Sequence, residues 1–278
     1  MSERERGWLI TGCSAGFGRH LALAALAAGD RVMATARRAE QLTDLVAAGG
    51  DRARGTTLDV TDTATIEEAV AATIDAFGRI DVVVNNAGHG SVGAVEELAM
   101  PDLRALMDVM FFGAVAVTKA ALPHLRQQGS GAIVQISSMG GQLSMPGFGA
   151  YCAAKFALEG LSEALAAEVA PFGVRVLIVE PGAFRTEFGG HRMHRSPTIE
   201  AYQVSTGQTR TAVDSMDGSQ PGDPAKAAQA ILEALDSNDP PLRLALGNDA
   251  VDNIRGHHKQ LRTDLDRWEK LSRSTDLN

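Results

Sequence analysis

Short runs of aliphatic and β-branched residues alternate along the chain with longer stretches in which apolar positions recur three or four apart. The strand-like runs are residues 8–11, 31–35, 56–58, 80–84, 132–137, 175–179 and 242–246. Helix-period stretches separate them at 18–28, 39–48, 64–77, 101–127, 151–170 and 223–235. Parallel strands need crossovers, and helical crossovers cover both faces of the sheet they connect. The pattern therefore predicts a doubly wound α/β fold with a mainly parallel, seven-stranded sheet. In such a fold ligands bind beyond the carboxyl ends of the strands, so candidate chemistry is sought just after each strand.

Length and charge narrow the reading. The 278 residues exceed the commonest domain size, yet α/β chains of about 200 to 250 residues fold around one core, and one domain is expected. Twenty-six basic against 34 acidic side chains give a net charge of −8, which repels nucleic-acid phosphates and anionic lipid. Neither partner is expected. No run of 18 apolar residues occurs, and residues 1–7 (MSERERG) are charged where a signal peptide needs an apolar run. A cytoplasmic protein is the expectation. Cys13 and Cys152 lack companions at ligand spacing, so no metal site is expected and both read as packing residues.

After the first run comes Thr11-Gly12-Cys13-Ser14-Ala15-Gly16-Phe17-Gly18, followed by a helical stretch. Glycines there let the backbone turn sharply and approach a pyrophosphate, with helix N-terminal amides facing it. The spacing G-x-x-x-G-x-G departs from the commoner dinucleotide G-x-G-x-x-G. An ordinary glycine turn would read the same from the glycines alone. At the end of the second run an NAD site usually carries an acid for the ribose hydroxyls. Here the run ends Ala36-Arg37-Arg38, with no acid. Arginine forks suit phosphate, which favours NADP(H) over NAD(H), although two solvated arginines would look alike. Asp59-Val60 and Asn86-Ala87-Gly88 follow the third and fourth runs and can meet an adenine edge or tie strands together.

The fifth run leads to Ser138, and Tyr151-x-x-x-Lys155 opens the next helical stretch. Residues four apart share a helix face. A free tyrosine, with pKa about 10, carries no protons near neutrality. A cation about 4 Å away at an effective dielectric of about 20 contributes on the order of 4 kcal/mol, roughly three pKa units as an upper bound. On that expectation Lys155 acidifies Tyr151, and Ser138 bonds the same oxygen.

With these elements in order, the sequence resembles the short-chain dehydrogenase/reductase family, in the style of bacterial retinol and hydroxysteroid dehydrogenase-like members. The matching pieces are Thr11 to Gly18 (with Gly12, Ser14, Gly16 and Phe17), Asn86-Ala87-Gly88, Ser138, Tyr151 with Lys155, and Pro181-Gly182 with Thr186. The resemblance implies a single Rossmann-type domain, a nicotinamide dinucleotide and a small alcohol or carbonyl substrate. By family analogy Tyr151 is the general acid/base, Lys155 holds the nicotinamide ribose and lowers the tyrosine pKa, and Ser138 orients the substrate oxygen. Residues 181–186 would run along the nicotinamide, and Asp59 and Val60 would border the adenine. A homodimer or homotetramer through the helix after Tyr151 is also implied, and its small face of Ala153, Ala157, Gly160 and Ala164 allows close approach.

One position departs from the family pattern. Met110 stands where members usually carry an asparagine that supports a water-linked proton path to the lysine, and a thioether cannot donate. The main-chain carbonyl of Met110 can still hold that water, and a methionine there also reads as a core gap-filler; retained or reduced turnover is expected, with a nucleotide-binding regulator without turnover, or an epimerase or dehydratase, as alternatives. Residues 183–222, holding Phe184, Phe188, His191, Met193, His194 and Tyr202, look irregular and are expected to form a substrate lid. Met139, Met145, Phe148 and Phe184 offer an apolar pocket wall, while His89 reads as a polar wall or structural residue. Residues 250–278 are expected to form a peripheral helix. The function expected is NADP(H)-dependent interconversion of a secondary alcohol and a ketone or aldehyde.

Overall fold

The computed structural model describes residues 5–190, 193–216 and 218–277. His191 and residues 1–4 of the charged N-terminus lie outside them. The strands are β1 (Gly7–Ile10), β2 (Arg31–Ala36), β3 (Ala53–Thr57), β4 (Val82–Asn85), β5 (Ser91–Val92), β6 (Gly131–Ile136), β7 (Val174–Pro181), β8 (His194–Arg195) and β9 (Arg243–Leu246). Seven of them form one sheet in the order β3-β2-β1-β4-β6-β7-β9, parallel at every described pairing. Strands β5 and β8 pair separately. The helices are α1 (Gly16–Ala27), α2 (Thr43–Gly49), α3 (Thr63–Phe77), α4 (Met100–Met107), α5 (Gly113–Gln128), α6 (Gly149–Val169), α7 (Thr206–Met216), α8 (Pro224–Asp236) and α9 (Asn248–Arg273).

Alternation along β1 explains the layering. Trp8 and Ile10 are buried on one face with Leu21 and Leu26 of α1, Leu42 and Leu45, and Ile231 and Leu235 of α8. Leu9 is buried on the other with Ile66 and Val70 of α3, Val117 and Leu125 of α5, and Leu165 of α6. Side chains alternate across a strand, so a central strand apolar at every position needs two helical layers. The Trp8 indole is buried with its N–H donating to Asp30 Oδ2 at 2.8 Å, and Arg6 Nε pairs with the same oxygen at 2.9 Å. The acid thus enters the core edge already neutralised.

The apolar stretch Met100–Gln128 is one continuous helical run, long and apolar enough to cross a membrane by length and composition. In the fold its buried side, including Leu106, Met110, Val117, Ala121 and Leu125, packs inside the protein. A π-helical segment, Asp108–Phe112, interrupts it beside the candidate site, a placement common for π-bulges.

Register puts the ends of the central strands together. Ile10 pairs with Ala34 and Val84, and Ile136 pairs with Val179. The residues that follow, Thr11, Asn86, Ser138 and Pro181, therefore meet at one edge of the sheet.

Two expectations need correction. Residues 183–222 are not structureless: β8 and the 11-residue α7 lie within them. Their signal is weak because only Thr206 and Val213 of α7 are buried. The third strand begins at Ala53, earlier than its apolar run, because β3 is an edge strand whose Arg54 and Gly55 are exposed.

Candidate active site

The first βα turn is built for close approach. Gly12 and Gly16 have φ of 73° and 58°, a region that costs L side chains energy. A Cβ at Gly18 would strike the Gly12 carbonyl at 2.6 Å and the Asn86 amide. Gly18 is therefore the close-packing position of the loop and does not line the cleft. The α1 N-cap, Ala15, gives no side-chain capping bond, so the amides of the first helical turn carry no such cap.

A buried latch joins this turn to the end of β4. Thr11 Oγ1 donates to the Val84 carbonyl at 3.1 Å and accepts from the amides of Asn86 and Ala87 at 2.9 and 3.0 Å. Asn86 Nδ2 donates to the carbonyls of Thr11 and Gly12 at 2.8 and 3.1 Å. Of the two roles open to Asn86, its amide nitrogen performs the strand tie. Cys13 is buried with its Sγ on the Ile10 carbonyl, and burial pushes its thiol up to about 12. It is an inert packing group.

A cleft of about 1480 Å³ runs from this turn across the sheet edge. One arm is lined by Gly12, Ser14, Gly16, Phe17, Arg37, Asp59, Val60 and Ala87, and the other reaches Ser138, Tyr151, Lys155, Pro181, Gly182 and Thr186. Asn86 and Gly88 line it as well. Arg37 and Arg38 are exposed beyond β2 and form no ion pair among the described residues. Asp59 accepts from the Thr61 amide and hydroxyl at 3.0 and 2.7 Å; these bonds, with a smaller contribution from Arg37, hold its carboxyl below the usual range. The turn after β7 is pinned by Asp249, whose Oδ2 accepts from the Ala183 amide at 2.7 Å.

At the inner end, Tyr151 is buried and hydrogen-bonded to Ser138. Ser138 Oγ also accepts from the Gly140 amide at 3.0 Å, which fixes its rotamer. Lys155 is buried one helical turn along, its Nζ donating to the Ile136 carbonyl at 2.7 Å and standing 5.9 Å from the Tyr151 ring centre. The expected acidification of Tyr151 by Lys155 is absent. Burial dominates and pushes the phenol above its ordinary value, partly opposed by the Ser138 bond. The ammonium is committed to a carbonyl, and burial lowers Lys155 to about 8, opposed by the Glu159 charge.

Met110 is buried with Leu106, Tyr151, Cys152 and Ala154, and a Cβ on Gly88 would meet its Cε at 3.4 Å. The thioether fills the space between the Asn86-Ala87-Gly88 turn and α6. His89 lines the cleft with Nδ1 against the Gly90 carbonyl at 3.2 Å.

The chamber over Tyr151 is apolar. Phe148 and Phe188 stand edge-on to its ring at 6.1 and 5.5 Å, and Met139, Met145, Met193, Val213 and Met216 complete the wall. Phe184 also lines the cleft, its ring 5.1 Å from that of Phe17 and tilted 57° to it. Phe188 and Met193 come from the segment expected to be a lid; what sequence reasoning missed is α7, which brings Val213 and Met216. Their one signal was apolar residues scattered in a polar segment. That segment is anchored by the buried Glu97 carboxylate, which accepts from the Ile199 amide at 2.7 Å and pairs with Arg210 at 2.8 Å.

Comparison with known proteins agrees with this arrangement. The family model for short chain dehydrogenases matches residues 7–196, and the chain belongs to that family. A crystal structure of a short-chain dehydrogenase from Streptomyces avermitilis is 55% identical, with a TM-score of 0.94 over 99% of this chain and 100% of that one. Oxidoreductase BOA17 of Botryotinia fuckeliana is 43% identical over 266 residues, 95% of this chain and 97% of its own length. Human retinol dehydrogenase 8 is 36% identical over 87% of this chain and 82% of its own length. More distant solved members hold a nicotinamide cofactor: a serine dehydrogenase is complexed with NADP+ at 27% identity and TM-score 0.74, covering 86% of this chain and 93% of that one. A Burkholderia phymatum member, 22% identical with TM-score 0.83 over 95% and 96% of the two chains, is complexed with NAD. The protein is a dehydrogenase/reductase of this family, built to use a nicotinamide dinucleotide.

Proposed function

We propose that this enzyme is an NADP(H)-dependent reductase that converts an apolar ketone or aldehyde to its alcohol. The observation that carries this reading is Tyr151, a buried phenol hydrogen-bonded to Ser138 where the dinucleotide arm meets the apolar chamber. The residues present fit the cofactor. Gly12 and Gly16 leave room for a pyrophosphate, and the first-turn amides of α1 favour its charge. Arg37 and Arg38 offer cationic forks where NAD-binding chains carry an acid, which supports the phosphorylated form. Bound there, the nicotinamide supplies or accepts the hydride.

The chain's own groups supply orientation and the proton. A carbonyl oxygen entering the chamber meets the Ser138 and Tyr151 hydroxyls, and Tyr151 gives up its proton as negative charge develops on that oxygen. A phenol whose value is raised by burial is fully protonated at neutrality, the state reduction requires. Lys155, anchored on the Ile136 carbonyl, is placed to hold a ribose hydroxyl. The Phe148, Phe188 and methionine walls exclude water and favour a hydrophobic substrate. Assembly as a homodimer or homotetramer is supported by the exposed Ala153, Gly160 and Ala164 on α6. A cytoplasmic location completes the proposal.

The test is NADPH consumption against a panel of ketones and aldehydes of increasing hydrophobicity. Stoichiometric NADPH loss with alcohol formation is expected. Tight cofactor binding with no turnover across the panel would indicate a regulator, and product without net cofactor change would indicate an epimerase or dehydratase. Either result would overturn the reading.

A further inference from the structure

Helix α9 begins against the body of the protein and then leaves it. Ala250 and Ile254 are its buried residues, and His258 reaches back to Gln142 at 3.0 Å. From His258 onward every described residue is exposed. This free end, about 24 Å long to Arg273 at 1.5 Å per residue, is not polar all round. Leu261, Leu265 and Trp268 are 53%, 66% and 54% exposed, and Leu271 beside them is 61% exposed. Ile254 stands seven residues before Leu261, and the next steps are four and three. One apolar stripe therefore runs along α9, packed against the protein at its start and uncovered over its last turns.

The charges beside the stripe say what covers it. Arg262 lies three residues before Leu265 and Glu269 four after it, on the same flank. Among the described residues the ion pairs of α9 are Arg255 with Asp252 and Glu269 Oε1 with Arg273. Arg262 has no acid of its own, and Glu269 keeps its second oxygen for another donor. A second α9 running the opposite way about Leu265 would bring each Arg262 to the Glu269 of the other helix, twice per pair. A parallel copy would instead set Asp264 against Glu269 and His257 against Arg262, like against like. Asp264 also speaks against a lipid surface. It borders the stripe three residues past Leu261 and four before Trp268, and accepts from Gln260 at 3.1 Å. Sinking the stripe into a bilayer would desolvate that carboxylate.

We propose that the free end of α9 is an interface for a second copy of this chain, paired antiparallel about Leu265 with Arg262 of each helix on Glu269 of the other. The face is separate from the small-residue face of α6, so where two chains also meet through α6, the α9 pair joins such dimers into a larger assembly. The stripe and its flanks offer less than the ~800 Å² per partner of a standard interface. The pairing is accordingly reversible, with a Kd on the order of micromolar.

The test is sedimentation velocity on the full chain, without substrate or cofactor, at about 1 to 100 μM, and it does not depend on the reductase reading. Leu265→Asp changes an exposed residue, so the fold and its melting temperature should be kept. The assembly mass should halve, with self-association weakened at least about 30-fold. Arg262→Glu should weaken it by about tenfold, and adding Glu269→Arg to that variant should return it to within about threefold of the wild type. Equal masses for the wild type and Leu265→Asp at every concentration overturn the interface. Weakening in Arg262→Glu without recovery in the double exchange overturns the antiparallel pairing. Vesicles of phosphatidylcholine and phosphatidylglycerol that carry down the wild type but not Leu265→Asp would make the cover a membrane and overturn the proposal as well.

Discussion

Replacing Thr11 by valine removes one hydroxyl while keeping the shape of a buried side chain. That hydroxyl accepts two backbone amides, from Asn86 and Ala87, and donates to the Val84 carbonyl, which keeps a second bond from the Thr11 amide at 3.0 Å. The variant leaves two amides without their acceptor. Each costs about 1 to 3 kcal/mol when desolvated, so a loss of about 2 to 4 kcal/mol is expected after the added methyl offsets part of it. Thr11→Ser keeps the hydroxyl and should lose about 1 kcal/mol for the missing methyl. Urea unfolding of the three proteins reads the difference directly. At a slope of about 3 kcal/mol/M the valine midpoint should fall by about 1 M. Because the latch sets the spacing between the glycine turn and the Ala87-Gly88 turn, NADPH affinity should fall with it. Valine and serine variants of equal stability, within about 0.5 kcal/mol, would refute the latch.

Other consequences concern the cofactor, the proton and the chamber. Arg37→Ala should weaken NADPH by about 10- to 100-fold, the worth of one charge-assisted bond, and leave NADH within about threefold; equal loss for both, in fluorescence titrations, would refute the phosphate role. Reduction should stay level with pH up to about 8 and decline as Lys155 loses its proton, whereas oxidation should climb as the raised Tyr151 phenol ionises. Initial rates in both directions across pH test this, and parallel profiles would contradict it. Phe188→Ala, which opens the wall 5.5 Å from the Tyr151 ring, should raise KM for the most hydrophobic carbonyls by about tenfold while changing kcat less; an unchanged KM would place the substrate elsewhere.

Much of this was legible in residues alone because β1, β4, β6 and β7 are apolar on both faces and are followed by side chains of limited chemical choice. Gly12, Tyr151 and Lys155 could be placed at the sheet edge by periodicity. What stayed hidden depended on distances across the fold. Lys155 looked like the group that acidifies Tyr151, yet its ammonium bonds the Ile136 carbonyl, and no sequence pattern discloses a backbone partner 19 residues away. Glu159 and Glu180 lie on different elements and share Arg243 only when α6 packs beside β7. Helix α7 was obscured because its polar residues carry little periodicity, and Glu97, which anchors that segment, is 102 residues from Ile199. Met110 was visible as a departure, but its packing against Gly88 was not.

The central claim is that Tyr151 delivers the proton, and removal of its hydroxyl alone tests that most directly. Tyr151→Phe keeps the ring against Phe148 and Phe188. The account predicts that kcat for carbonyl-dependent NADPH consumption falls by about 10²- to 10⁴-fold, with the NADPH Kd unchanged within about twofold. Turnover retained at near wild-type rate in the folded variant would contradict it.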